Sequence, residues 1–221
     1  MRNFVRKRTF DSILGHSVSM IRGGFPQNTK GTALINLCIV VIIVLIFFGA
    51  AIKGQAIIHN SKIKSLTNQH REILAAIYLY HDRYSYIPGD DPNAATRWAG
   101  TVAGNGNGFV AVGVGSTGFN CTCAASGMEQ CDLWNQLRLS KLIPGSGFFN
   151  PKNAYGGHVG FSYYRIQGLL AHWLAFQDIP HDVCRYLDEQ SDDGNHSSGQ
   201  IRGSGNYDTA TSGVFNLYFR F

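Results

Sequence analysis

The sequence predicts an α+β protein in which one long N-terminal helix carries a small antiparallel sheet. Three observations predict it. From Ala33 to Ile52 the only polar side chain is Asn36. The helical signal then continues, with Ile63, Leu66, Ile73, Ile77 and Tyr80 at spacings of 3, 7, 4 and 3, the apolar stripe of an amphipathic helix. Further on, aromatic and branched residues fall in strand-length runs between Gly and Asn turns.

Taken in order, residues 1–31 read as a basic leader. They hold Arg2, Arg6, Lys7, Arg8, Arg22 and Lys30 against Asp11, which leaves 13 of the 19 basic and 13 of the 14 acidic residues beyond them. The formal net charge of +5 therefore belongs to this segment, and the remainder has no charge excess that would favour nucleic acid. Residues 32–52 form a transmembrane half-helix, since about 20 apolar residues cross the ~30 Å hydrocarbon core. The basic excess before the run, against Lys53, Lys62 and Lys64 after it, orients the N-terminus to the cytoplasm and the rest outside.

Residues 53–87 are the amphipathic half of the helix, and residues 88–221 a loop-rich head, in keeping with the 26 glycines of the chain. Pro88-Gly89 and Asp91-Pro92 end the helix in turns, which also account for the Asp90-Asp91 pair. Gly104-Asn-Gly-Asn-Gly-Phe109 has neither the strand before it nor the helix after it that a phosphate-binding loop needs, and is expected to be a flexible loop. Met128 to about Lys141 reads as an amphipathic helix with Leu133, Trp134 and Leu137 on one face.

Gly160–Gln167 and Leu169–Phe176, divided by Gly168, predict an antiparallel hairpin. Asp178 to Asp188 predicts a short helix with Asp178 as N-cap and Pro180 in its first turn. Val214–Phe221 alternates, placing Phe215, Leu217, Phe219 and Phe221 on one face of a last strand packed on the amphipathic half-helix.

Cys121, Cys123, Cys131 and Cys184 lie beyond the membrane segment, in what the topology makes an oxidising compartment. Four cysteines there suggest two disulfides, with three pairings open; Cys121 and Cys123 are too close in sequence to bridge each other without strain. Buried thiols are the alternative. Zinc is disfavoured, because these cysteines lack paired C-x₂-C spacing and His158, His172, His181 and His196 are scattered. Asp188-Glu-Gln-Ser-Asp-Asp-Gly-Asn195 is an oxygen-rich loop chemically suited to Ca²⁺, with Asp188, Asp192 and Asp193 as candidate ligands. No nucleophile elbow, P-loop or zinc-protease motif is present, so an enzyme is not expected.

Two stretches carry a resemblance. Lys30-Gly31-Thr32-Ala33-Leu34-Ile35-Asn36-Leu37 resembles the processing site of type IV pilins and of the pseudopilins of type II secretion, and Tyr84-x-x-Ile87-Pro88-Gly89-Asp90 resembles the closure of their long helix. The resemblance covers about residues 30–93 and implies a pilin-like fold. It implies cleavage between Gly31 and Thr32 by a prepilin peptidase, then methylation of the new N-terminus; the Gly24-Phe25 bond lies too far from the apolar run.

The family usually has Phe where this chain has Thr32 and Glu where it has Asn36. That Glu is thought to pair with the amine of a neighbouring subunit, which a neutral Asn36 cannot do by charge, so the resemblance implies a minor subunit rather than a shaft subunit. Its partners would be other pilin or pseudopilin subunits and an inner-membrane assembly platform. Its location would be the inner membrane, single pass with the head periplasmic, and then a filament. Some pseudopilins bind Ca²⁺ in a C-terminal loop, which adds to the reading of Asp188, Asp192 and Asp193. An uncleaved single-pass protein with an extracytoplasmic ligand-binding head is the alternative.

Overall fold

The computed structural model describes residues 29–110, 118–121 and 127–221. The leader, apart from its last residues, and Cys123 lie outside the described residues. The order of elements is α1 (Thr29–Tyr84), α2 (Ala94–Arg97), α3 (Glu129–Leu139), β1 (Val159–Ile166), β2 (Leu169–Pro180), α4 (His181–Ser191), β3 (Ile201–Gly203) and β4 (Val214–Arg220). The chain divides into two compact units, residues 1–56 and residues 57–221.

In the first unit the described residues are helical. Their large apolar side chains, from Leu34 through Phe48, are exposed. Among the described residues this is the one helix long and apolar enough, by length and composition, to cross a membrane; its most apolar window has a mean hydropathy of 3.1.

In the second unit the rest of α1 buries Leu66, Ile73, Ala76, Ile77 and Tyr80, with Ile63 half-buried beside them. This is the stripe that the periodicity predicts. It shares one core with Leu133, Trp134 and Leu137 of α3, Phe161 of β1, Leu174, Phe176 and Ile179 of β2, and Leu217 of β4. Each such apolar side chain contributes roughly 1.5–3 kcal/mol by leaving water.

The sheet is antiparallel throughout, in the order β1-β2-β4-β3. Leu174 pairs with Phe219 and Phe176 with Leu217, so both strands turn these residues to the helix side. There Phe219 packs on His70 at 4.4 Å between ring centroids, and Phe221 stacks on Tyr78 at 5.0 Å. The opposite face is apolar as well: Trp173, Ala175 and Tyr218 are buried there with Phe119 and Ile166. Tyr218 therefore breaks the expected division of β4 into one apolar and one polar face.

Three sequence expectations need correction. The helix expected from Asp178 begins instead at His181, with Pro180 as its N-cap residue. A register shift between Phe176 and Ile179 lets β2 continue to Pro180, pairing Ile179 with Phe215, and Asp178 takes φ 58° within the bulge. The bulge keeps Ile179 buried, and that burial outweighs the cap signal. Helix α3 has no solvent face of the expected kind, since Gln130, Asp132, Asn135, Gln136 and Arg138 are buried along with its apolar residues.

The glycine loop at 104–108 is not loose. It is fixed on Asp90, whose carboxylate accepts the N–H groups of Gly106, Asn107 and Gly108 at 2.7, 3.1 and 2.7 Å. A Cβ on Gly104 would stand 2.3 Å from the Asp90 backbone, so only glycine allows that approach.

Candidate functional site

The acidic loop is assembled by the end of α4 and the turn after it. Asp188 lies on the last turns of α4 and is fully buried; Asp192 is the C-cap residue, half-buried; Asp193 is exposed. One carboxylate oxygen from each lies within 4.8 Å of the others. The structure thus brings together all three residues singled out from the sequence.

Local packing fixes each carboxylate. Asp188 accepts the Tyr207 hydroxyl at 2.5 Å and the Gly194 N–H at 3.3 Å. Asp192 accepts the N–H groups of Gln200 and of Ile201, the latter at 2.7 Å, and so joins the end of α4 to the start of β3. Gly199 is obligatory beside it, with φ +73° and a would-be Cβ only 2.0 Å from the Asp192 oxygen. Asp193 accepts the Asn195 N–H at 3.0 Å and the Ser198 hydroxyl at 2.6 Å.

The two ends of the cluster titrate in opposite senses. Burial pushes the Asp188 carboxyl up, and the neighbouring Asp193 and Asp192 charges add to that, while the bonds from Tyr207 and Gly194 oppose it. The Ser198 hydroxyl and the Asn195 N–H hold Asp193 low. Burial and the Asp188 carboxylate raise Tyr207, which stays a protonated donor.

The donor set is oxygen only, which suits a hard cation. Ca²⁺ binds oxygens at about 2.3–2.6 Å, so ligands on one ion lie up to about 5 Å apart. The spread of the three oxygens falls within that reach, and the residues fit the ion. Among the described residues no other group of three or more acidic, His or Cys side chains is gathered in this way.

Cys121 and Cys131 form a disulfide, with Cα atoms 5.4 Å apart. Of the expected second bridge, Cys184 is a free, buried thiol within 3.6 Å of the Ile179 carbonyl, and Cys123 is outside the described residues. Bridging of Cys121 to Cys131 also removes the four-cysteine zinc site. Among the candidate histidines, His172 is bound through Nε2 by the Val110 N–H at 3.1 Å, and His196 pairs through Nδ1 with Asp208 at 2.8 Å.

Gly31 and Asn36 both lie within α1, and Asn36 is exposed. The Thr32 backbone is helical, so the Gly31–Thr32 bond falls inside the first turns of the helix.

A second polar centre escapes the sequence reading. Asp91 is buried and accepts the Tyr80 hydroxyl at 2.8 Å, the Asn93 N–H at 2.8 Å and the Arg97 guanidinium. Gln136 joins it from α3, its Oε1 accepting from Tyr80 at 3.2 Å and from the Gly89 N–H at 2.7 Å. The Asp90-Asp91 pair is therefore no solvated turn but the internal anchor of the helix closure. The signal available in the sequence was the alternation of Asn with Gly at 104–108, a pattern that can turn successive N–H groups towards one anion.

Comparison with protein-family models, with curated proteins and with solved structures finds no match to this chain.

Proposed function

We propose that this chain is a minor subunit of a type IV pilus or of a type II secretion-like filament, assembled from the inner membrane through its N-terminal helix. The observation that carries this reading is the division of labour along α1. Its first part exposes a run of apolar side chains interrupted only at Asn36, while residues beyond Ile57 bury one stripe under an antiparallel sheet. Such a helix can sit in lipid before assembly and against like helices afterwards, when helix–helix contacts replace lipid contacts. The Tyr84-to-Asp90 closure, anchored by Tyr80 and Gln136, fits the same role.

Asn36 bears on the place of the subunit. A buried carboxylate–ammonium pair can fix register between subunits, because leaving either charge unpaired in an apolar medium is costly. Asn36 supplies a hydrogen bond without charge, which suits a position where register is set by other contacts. The acidic loop, with Ca²⁺ bound by Asp188, Asp192 and Asp193, would brace α4 against β3.

The decisive experiment is the intact mass and N-terminal sequence of the protein recovered from its own membranes. A chain beginning at a methylated Thr32 supports the reading; a chain that keeps residues 1–31 overturns it. The competing reading is an uncleaved anchor with a ligand-binding head. It draws on Asn36 and on a cavity of about 400 Å³ lined by Leu66, His70, Leu74, Ile201 and Phe219, with Arg71 and Arg220 also lining it. That reading keeps the leader and requires no filament.

A further inference from the structure

Asn105 and Asn107 are the two asparagines in the sequence that precede a glycine, and both are exposed. An Asn-Gly step can deamidate by a defined route. The glycine backbone nitrogen loses its proton and attacks the asparagine Cγ. A nitrogen–carbon bond forms, the side-chain nitrogen leaves as ammonia, and water opens the resulting succinimide to Asp or isoaspartate. The route needs only water and base.

The electrophilic half of that reaction is set up in this loop. The Asn107 N–H donates to the Asn105 Oδ1 at 2.9 Å, and the Phe109 N–H donates to the Asn107 Oδ1 at 2.8 Å. Each bond polarises the amide carbon that would be attacked. The absent Cβ at Gly106 and Gly108 leaves their nitrogens sterically open.

The nucleophilic half is occupied. The Gly106 N–H donates to the Asp90 carbonyl at 3.0 Å and to its Oδ1 at 2.7 Å, and the Gly108 N–H donates to Oδ2 at 2.7 Å. Asp90 is 1% exposed, so water does not screen the pair. Removing either glycine proton would place a second anion beside a buried carboxylate, which disfavours the charged form.

We infer that Asn105 and Asn107 are latent deamidation sites, kept unreactive because the Asp90 carboxylate holds the two glycine N–H groups that would have to ionise. Conversion would add a carboxylate, at position 105 beside Glu129, whose Oε1 accepts from the Asn105 Nδ2 at 2.8 Å, and, as isoaspartate, an extra methylene in the main chain. The close approach of the Gly104 backbone to Asp90 leaves no slack for that methylene. The change would therefore open the loop irreversibly and expose Asp90 at the closure of α1.

The test uses the full chain in detergent at pH 8.5 and 37 °C, with peptide mapping by mass over time. The same chain unfolded in urea is the reference. Each unit by which the carboxylate raises the glycine N–H pKa slows the reaction roughly tenfold, so the folded chain is expected to convert at least about tenfold more slowly than the unfolded one. Asp90→Asn should bring the folded rate most of the way back.

Hydrogen exchange on the wild type reads the same ionisation without a variant, and Gly106 and Gly108 should exchange far more slowly than their exposure suggests. Equal rates in folded and unfolded chains would overturn the inference, as would unprotected exchange at both glycines. A folded Asp90→Asn chain that deamidates more slowly than wild type would make the carboxylate a base rather than a guard, and would also overturn it.

Discussion

The Tyr80 hydroxyl donates to Asp91 Oδ2 at 2.8 Å, joining the last buried turn of α1 to the loop that ends it. Both residues are buried, and Tyr80 is held protonated by burial and by that carboxylate. Tyr80→Phe keeps the ring in place but removes the donor that Asp91 and Gln136 share, leaving Asp91 to the Asn93 N–H and Arg97 and Gln136 Oε1 to the Gly89 N–H. Losing one hydrogen bond at acceptors that keep other donors costs about 0.5–1.5 kcal/mol. The urea midpoint of the full chain in detergent should fall accordingly, while Tyr84→Phe, which alters no hydroxyl bond seen here, should leave it near wild type. Equal midpoints for Tyr80→Phe and wild type would remove this bond from the account of the closure.

The acidic loop predicts a response to calcium. Ligand that binds only the folded state stabilises it by RT ln(1 + [L]/Kd), about 2.7 kcal/mol at a hundredfold excess over Kd. Adding Ca²⁺ should raise the Tm of the wild type, and Asp193→Asn should blunt the shift without lowering the starting Tm much, since Asp193 is exposed and bonds only local loop groups. Asp192→Asn should weaken both, because that carboxylate also binds Gln200 and Ile201. A Tm that ignores Ca²⁺ up to millimolar concentration would leave the three carboxylates as a helix-to-strand brace alone.

What was legible in the sequence follows from period and run length. The stripe through Leu66, Ile73, Ile77 and Tyr80, the hairpin about Gly168 and the last strand each advertise which side is apolar. Polar residues do not advertise burial. Asn150 is buried because its side chain bridges the carbonyls of Phe119 and Val159, at 3.0 and 2.8 Å, and accepts the Cys121 N–H. Asp90 is buried because donors well beyond it in sequence close over it. Such partners are defined only once the chain has folded. The acidic loop was legible as a composition, while the Asp192 link to β3 and the need for glycine at 199 were not.

Cysteine chemistry separates the two thiol pairs expected from sequence. Non-reducing peptide mapping should recover the Cys121–Cys131 link. Reducing it should cost on the order of 2–3 kcal/mol, the scale for a short closed loop. Cys184 is buried, and burial pushes its thiol up, with the Asp182 and Asp188 charges adding to the effect. Iodoacetamide should therefore leave it unlabelled in the folded chain and label it in urea. Rapid labelling under native conditions would contradict the packing of α4 against β2.

The pH dependence of stability sets buried histidines against buried aspartates, of which Asp132 gives the cleanest test. Burial lowers His70 and His172 from 6.5 to about 4, helped at His70 by the Arg71 charge and opposed at His172 by Asp90. A histidine kept neutral in the fold stabilises it above its unfolded pKa and loses that contribution as pH falls towards 4. Asp132 has the opposite sense. Burial raises it from 3.8 to about 6, with the Glu129 charge adding and the Gly127 N–H opposing. Its protonated form is favoured in the fold, so between about pH 4 and pH 6 it weakens stability as pH rises, by roughly 1–2 kcal/mol after solvent screening. Asp188, also raised by burial, acts in the same sense as Asp132, so the test is the difference between variant and wild type. The advantage of Asp132→Asn over wild type should grow through pH 6 and then level off. A difference that stays constant from pH 4 to 7 would mean that Asp132 keeps an ordinary carboxyl pKa, and that its burial on α3 is offset by a donor other than Gly127.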